Sequence, residues 1–560
     1  MRLPLTIGFV GLLGTLACHG SSGGGSRRPL TNLGVSAAYL RGEGDLWLIG
    51  VSELDEGGLD RNGDNDTDDV VLCVYDFLDG SLTDLHLAGG AVPFATIGKV
   101  LIAFGVPEDE QGAGDLNGDN DTDDLVLHVY DARTKTTTNT GLATSALTPA
   151  IGLATVGFAV DEAAQDFTDL DGSGAPDGTI LHVFNANTGL STNAQRNVTS
   201  EIVFHDHAYA FTTDEASAHA VLNGDGLIDD DLVFQTFDLV LGGVISIPMA
   251  TRGRPLGVSA EDWIVLADET AQGTVLNGDG DTDDGVWMLV KPHLGTLTPL
   301  PFSSAGTFQS TTDGNLAGLV FQEIDGVDRN GDSDFQDTFV ALYDTATSQA
   351  FVSGFPIGID EPLVFAGERL GFLLSEFFVG DGNLDGSFDD EILYWLDESG
   401  APPISSGIEA LTLEAAGGRF LCLRLENPLV GDDYNGDGDF DDLVYFTLDP
   451  AGPFGPESTG LASGGPASAG STALLLLGTE AGQNQDLNGD GDQNDLAWVR
   501  HDLASSTNLL LGGASLLQDA GLLNDGRGIV PVLESGQGTG VDLNGDDDFA
   551  DSVLHVFGAP

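Results

Sequence analysis

The stretch DLNGDNDTDD at 115–124 packs carboxylates so tightly that a chain carrying it folds only if something offsets their repulsion. Near-copies begin at Asp60, Asp115, Asp169, Val221, Val275, Asp328, Asp381, Asp433, Asp486 and Asp542, each 52 to 56 residues after the last. A period of this length marks one unit used many times, which overrides the division into several unrelated domains that 560 residues would otherwise suggest. Two carboxylates about 4 Å apart repel by roughly 4 kcal/mol at an effective dielectric near 20. Clusters of them, repeated ten times, would exceed the ~5–15 kcal/mol by which a domain is stable.

The second copy shows the unit. An apolar run (VLIAFGV) ends in an acidic residue, a Gly-containing spacer leads to the acidic loop, and a second apolar run (LVLHVYD) leaves it. A polar turn and a weaker segment (TTTNTGLA) follow. The runs are short, rich in Val, Leu, Phe and Tyr, and nearly continuous in apolar character, which predicts strands buried on both faces with the acidic loop joining two of them as a hairpin. Counting the segment after GLA, each unit has room for four short strands, and no stretch shows a helical period. The expected class is all-β: a β-propeller of ten four-stranded repeats over residues 30–560, with two five-bladed propellers as the alternative. The chain closes on SVLHVFGAP without the following GLA segment, and PLTNLGVSAAYL, from Pro29 to Leu40, resembles that missing piece. This predicts one ring, closed by pairing Pro29–Leu40 with Val553–Phe557, so that no sheet edge is left bare.

Aligned on their Asn-Gly-Asp core, the loops place oxygen donors at every second residue, with glycines between them. Position 1 is Asp60, Asp115, Asp169, Asp328, Asp381, Asp433, Asp486 or Asp542. Position 3 is Asn62, Asn117, Asp171, Asn223, Asn277, Asn330, Asn383, Asn435, Asn488 or Asn544. Position 5 is Asp64, Asp119, Asp225, Asp279, Asp332, Asp385, Asp437, Asp490 or Asp546, and position 10 is Asp69, Asp124, Asp230, Asp284, Asp337, Asp390, Asp442, Asp495 or Asp551. In the third loop Asp177 is the remaining acid. Alternating oxygens on a tightly turning loop are how Ca²⁺ acquires six to eight ligands. Transition ions would want His or Cys, which these loops lack. Up to about ten Ca²⁺ ions are expected. A glutamate also ends the strand before every loop: Glu53, Glu108, Glu162, Glu215, Glu269, Glu323, Glu376, Glu426, Glu480 and Glu534. It either reaches across the hairpin to the ion or hydrogen-bonds the loop backbone.

Eighty-nine acids against 18 bases give a formal charge of −71, which makes nucleic acid and anionic lipid poor partners. Yet 41% of residues are hydrophobic, so the chain has a core to build. Arg2 followed by LPLTIGFVGLLGTLA reads as a signal peptide over 1–17, too short to span a bilayer comfortably. TLAC resembles a lipobox ending in a lipidated Cys18, with a Gly/Ser-rich tether over 18–29; ordinary signal cleavage and secretion is the alternative. Cys73 and Cys422 sit in apolar runs and read as buried thiols.

DLNGDGDQNDL (486–496) and DYNGDGDFDDL (433–443) resemble the loops of FG-GAP/VCBS-type repeats, the calcium-bearing propeller blades of integrin heads and of many bacterial surface proteins. Dockerin and thrombospondin type 3 loops are also similar, but the former lie among helices and the latter run nearly back to back. The resemblance implies a calcium-loaded propeller and gives no ligand. No nucleophile elbow, zinc-protease helix or phosphate loop is present. His205 and His207 in HDH alternate as two strand ligands would, but two histidines make an incomplete metal site. His128, His182 and His555 share one repeat position with Cys73, Gln235, Met288, Ala341, Tyr394, Phe446 and Val499, as a tolerant packing site would. The expected protein is therefore not an enzyme. It is an exported, monomeric, calcium-stabilised surface protein for adhesion, binding or scaffolding, attached to membrane only through lipid, with a protein or polysaccharide partner. The competing reading is a polysaccharide lyase or hydrolase working in the propeller channel.

Overall fold

A computed structural model describes residues 30–90, 94–112, 114–228, 231–259, 262–306, 309–358, 362–384, 386–427, 431–452, 455–514, 520–537 and 540–558. The expected leader over 1–17, the tether over 18–29 with Cys18, and the loop positions Asp230 and Asp385 lie outside these residues. The architecture is nearly all antiparallel β, with helix confined to single turns such as Glu215–Ala218 and Glu269–Gln272. No helix among the described residues is long and apolar enough to cross a membrane.

The unit is a meander. Leu46–Ser52 pairs with Val70–Asp76 in unbroken register from Leu46↔Asp76 to Ser52↔Val70, and Val70–Asp76 pairs onward with Ser81–Ala88. The same pattern returns in Leu101–Pro107, Leu125–Asp131 and Thr136–Ala143. The two central strands of each meander are buried along nearly their whole length. Their side chains alternate between two neighbours. Leu48, Leu72 and Val74 pack on Ile102, Phe104 and Val106 of the following sheet. Trp47, Ile49, Cys73 and Tyr75 pack on Ile529, Leu554 and Val556, from the far end of the chain. Face-to-face stacking is thus why the runs read as continuous apolar stretches. Cys73 and Cys422 are both free and buried, and burial pushes each thiol up to about 12.

The first strand, Thr31–Glu43, is divided between two sheets. Thr31, Asn32 and Ser36 pair with Val556, His555 and Val553, while Ala37–Glu43 pairs with Leu46–Val51 of the first meander. The closing segment is therefore shorter than Pro29–Leu40, because a register shift between Ala37 and Tyr39 follows the transfer of the chain to its own hairpin. Deleting residues 30–36 strips the strand Ser552–Phe557 of one partner and uncovers Leu554 and Val556. The expected result is a thermal midpoint several degrees lower; a truncated protein that melts like its parent would show that the pairing adds nothing.

Candidate metal centres

Each acidic loop joins the two buried strands of a meander, so its ends are held together by the sheet. One backbone bond recurs in all ten copies: the N–H of the strand-end glutamate donates to the carbonyl of the last loop residue, at 2.9–3.2 Å. This bond sets the register. It places position 10, and not position 9, opposite the glutamate. In the fourth loop it selects Asp231 rather than Asp230, because NGDGLIDDD carries one extra residue. Asn223 agrees, donating from Nδ2 to Asp231 Oδ2 at 2.9 Å.

The ninth loop shows the interior. Asp490 N–H donates to Asn488 Oδ1 (2.9 Å), Asp492 N–H to Asp490 Oδ1 (3.1 Å) and Asn494 N–H to Asp492 Oδ1 (2.9 Å). Each side chain thus caps the amide two residues on, leaving other oxygens to point inward. Asp486, at position 1, accepts Gly491 N–H at 3.1 Å and is half-buried, ordering the loop. Positions 4 and 6 are left-handed, as at Gly489 (φ 86°) and Gly491 (φ 107°), which is why glycine and asparagine predominate there. Leu384 holds the same conformation at position 4 of the seventh loop. Oxygens of Glu480, Asp490, Asp492 and Asp495 all lie within 4.8 Å of one another, as do those of Glu53, Asp66 and Asp69, and of Glu108, Asp121 and Asp124. Asp66, Asp121 and Asp492 stand at position 7, which the sequence reading did not include among the ligands.

All ten glutamates are 0–2% exposed. One oxygen serves the loop backbone: Glu480 Oε1 accepts Leu487 N–H (2.6 Å) and Asn488 N–H (2.9 Å), and Glu426 Oε1 accepts Tyr434 N–H (2.6 Å). The other is aimed at the carboxylate cluster. In Glu53, Glu108, Glu215, Glu269, Glu323, Glu376 and Glu426 that Oε2 is buried with no hydrogen-bond partner. The position-10 carboxylates face the same deficit of positive charge. Burial first, and neighbouring carboxylates second, raise Asp69 and Asp124 to about 7, Asp284 to about 8, and Asp442 and Asp551 to about 6. Oxygens so arranged could hold a divalent cation.

Position 3 has a second role. Asn62 Nδ2 donates to Asp69 Oδ2 (2.7 Å) and to Glu110 O of the following meander (2.9 Å). Asn117, Asn223, Asn435 and Asn488 bond the equivalent carbonyls of Ala164, Ala271, Gly482 and Gly536, and Asn544 bonds Asp55 O near the start of the chain. The third loop departs most. Oxygens of Glu162, Asp169 and Asp171 converge, but Asp177 is exposed and outside the cluster. A Cβ at Gly178 would lie 2.6 Å from Asn197 Nδ2, so the Asn197 amide fills the place of the position-10 side chain.

The shared histidine position is packing. His128, His182 and His555 are buried, and burial lowers all three, His182 to about 4. The HDH pair separates: His205 and His207 flank a tight turn at Asp206 (φ 53°), and His207 approaches Asp238 and His293.

No family model matches the chain, and no curated protein matches it. Among solved structures, the β-propeller domain of the Trilobed protease from Pyrococcus furiosus aligns at TM-score 0.31 and 9% identity, over 65% of this chain and 95% of that one. Dipeptidyl peptidase 4 from Porphyromonas gingivalis aligns at TM-score 0.39 and 9% identity, over 89% and 65%. The tricorn protease aligns at TM-score 0.30 and 11% identity over 89% of this chain, which spans 46% of that protein's length.

Proposed function

We propose that the protein is an exported, calcium-loaded β-propeller of ten blades in one ring, serving at the cell surface as a monomeric binding or scaffold protein. The calcium assignment rests on the partnerless Oε2 of the buried glutamates, which faces further carboxylates in loop after loop. An isolated buried carboxylate costs several kcal/mol unless a counter-charge reaches it. In the first loop the Arg61 guanidinium bonds Glu56 and Asp84 and leaves Glu53 Oε2 without a partner, and 18 bases are too few to serve 89 acids. Oxygen-only donor sets with many carboxylates favour Ca²⁺ over softer ions, and over Mg²⁺, which keeps more of its water.

Two features support a single closed ring. Ten core clusters each join neighbouring sheets, and one of them joins the first sheet to the last through Trp47, Leu554 and Val556. The asparagine bond from Asn544 to Asp55 carries the loop-to-next-loop pattern across the same junction. Export and anchoring rest on the leader and Cys18 alone. A binding role is favoured over hydrolysis because a cavity of about 580 Å³, lined by Arg41, Glu43, Trp47, Thr96 and Ser468 among others, offers one carboxylate among the described residues. Glycoside hydrolysis ordinarily uses two.

Calcium titration by calorimetry, with metal content measured in parallel, tests the reading. Several equivalents should bind in more than one affinity class, because the third loop lacks position-10 Asp and the fourth and fifth begin with Val221 and Val275. A protein that takes up no calcium would overturn it, and ten identical sites would overturn the loop register.

A further inference from the structure

At the ends of the strands remote from the acidic loops, a different donor set converges. Leu232–Asp238 leaves the fourth loop and runs seven residues, about 20 Å at ~3.3 Å per residue. Its last residue, Asp238, pairs with Ala208, which places the preceding His207 beside it. In the next meander, Gly285–Lys291 ends in a single 3₁₀ turn over Pro292–Leu294, where proline starts the turn and His293 follows. The packing of these two meanders brings His293 to the same point. His207 Nε2 lies 3.2 Å and His293 Nε2 2.7 Å from Asp238 Oδ2, and the two Nε2 atoms are 3.4 Å apart.

Asp238 is fully buried. Its Oδ1 accepts the N–H groups of Val240 (2.8 Å) and Leu241 (2.6 Å), the ordinary duty of a strand-end aspartate in this repeat. Its Oδ2 accepts no hydrogen bond of normal geometry despite two imidazole nitrogens within reach. A metal about 2.0–2.2 Å from each of three N/O ligands sets them ~3.0–3.5 Å apart, close to the spacing found. His207 Nδ1 lies 2.6 Å from Asp206 Oδ2, the carboxylate support that fixes the ring of a metal-binding histidine. A cavity of about 10 Å³, with room for a single ion or water, is bordered by His207, His293, Thr236 and His205. The two histidine side chains are 22% and 27% exposed, so the site is open on one side.

We propose that His207, Asp238 and His293 form a second kind of metal site, for a divalent transition ion of the zinc class, separate from the oxygen-only loops. Two imidazoles and one carboxylate suit such an ion and leave at least one position for water or an outside ligand. Sequence alone supplied only His205 and His207; the completing residues come from another strand end and from a turn 86 residues away from His207.

The test is Zn²⁺ binding by the full chain, first stripped with chelator and then held in millimolar Ca²⁺ so that the loops are occupied. One Zn²⁺ equivalent should bind under these conditions, and Co²⁺ should give the visible absorption of a nitrogen-ligated, low-coordinate ion. His207→Ala and His293→Ala should each weaken Zn²⁺ binding at least fiftyfold, while the zinc-free melting midpoint stays near that of the parent. Asp206→Asn should weaken it about ten- to hundredfold, as loss of outer-shell support does elsewhere. Zn²⁺ uptake that is unchanged in both histidine variants, or that excess Ca²⁺ abolishes, would overturn the proposal, as would no Zn²⁺ uptake by the folded parent.

Discussion

In chelator at neutral pH the protein is expected to melt about 12 °C below its midpoint in millimolar Ca²⁺ at matched ionic strength. Extracellular modules commonly bind Ca²⁺ with dissociation constants of ~0.1–1 mM. At free Ca²⁺ about tenfold above that constant, one site stabilises the fold by roughly 1.4 kcal/mol, and ten independent sites by about 14 kcal/mol. Unfolding entropy of about 2.1 cal/mol/K per residue comes to about 1.2 kcal/mol/K for a chain of this size, which converts 14 kcal/mol into about 12 °C. Sodium chloride recovers only part of the loss, because it screens the formal charge of −71 without coordinating Glu53 or its counterparts. Paired thermal melts measure this directly. Equal midpoints would mean that the loops are solvated turns.

Acidification from pH 8.5 to 6.5 is expected to raise the midpoint of the metal-free protein and to leave that of a calcium-loaded protein level or lower. Without metal, burial and neighbouring carboxylates hold Asp69 and Asp124 near 7 and Asp284 near 8, against about 3.9 for an aspartate in the unfolded chain. Over that window the folded chain binds more protons than the unfolded one, so its stability falls as pH rises and returns as pH falls. Below about pH 6.5 the rise slows. There the buried histidines His128, His182 and His555, lowered by the same desolvation, must be charged at the expense of the fold. Bound Ca²⁺ would keep the carboxylates ionised and compete with protons, so the gain should disappear. Melts in chelator and in calcium across this range check the sign; a metal-free midpoint that falls steadily from pH 8.5 to 6.5 would refute the burial of these carboxylates.

The repeat, the strands and the buried glutamate were all legible in the residues, because each is dictated by spacing and by the cost of leaving acid unpaired. The use made of each atom was not. Glu480 reads as one acid, yet its Oε1 holds the loop backbone, a division set by hairpin geometry. Asn488 reads as an oxygen donor, but an amide also carries N–H groups, and these turn toward Asp495 and the neighbouring meander. The run Asp229–Asp231 offers no internal mark of register; the bonds from Glu215 N–H to Asp231 O and from Asn223 Nδ2 to Asp231 Oδ2 select the residue. Asn197 in place of the missing aspartate required knowing which strand lies beside Gly178. The pairing of Thr31–Ser36 with the last strand was visible as a duplicated segment, while the crossover at Ala37 depended on where the first hairpin bends.

Six asparagine bonds tie a loop to the meander that follows it. Each bonded carbonyl lies two residues beyond the next meander's glutamate, so whatever orders one loop also steadies the seat of its neighbour. Asn544 passes the bond back to Asp55, so the last loop steadies the seat of the first as its counterparts do for their own neighbours. The third loop interrupts the relay: Asp171 stands in the asparagine's place and has no N–H to give. Restoring that donor with Asp171→Asn is therefore a change to the wiring between loops as much as to any one of them.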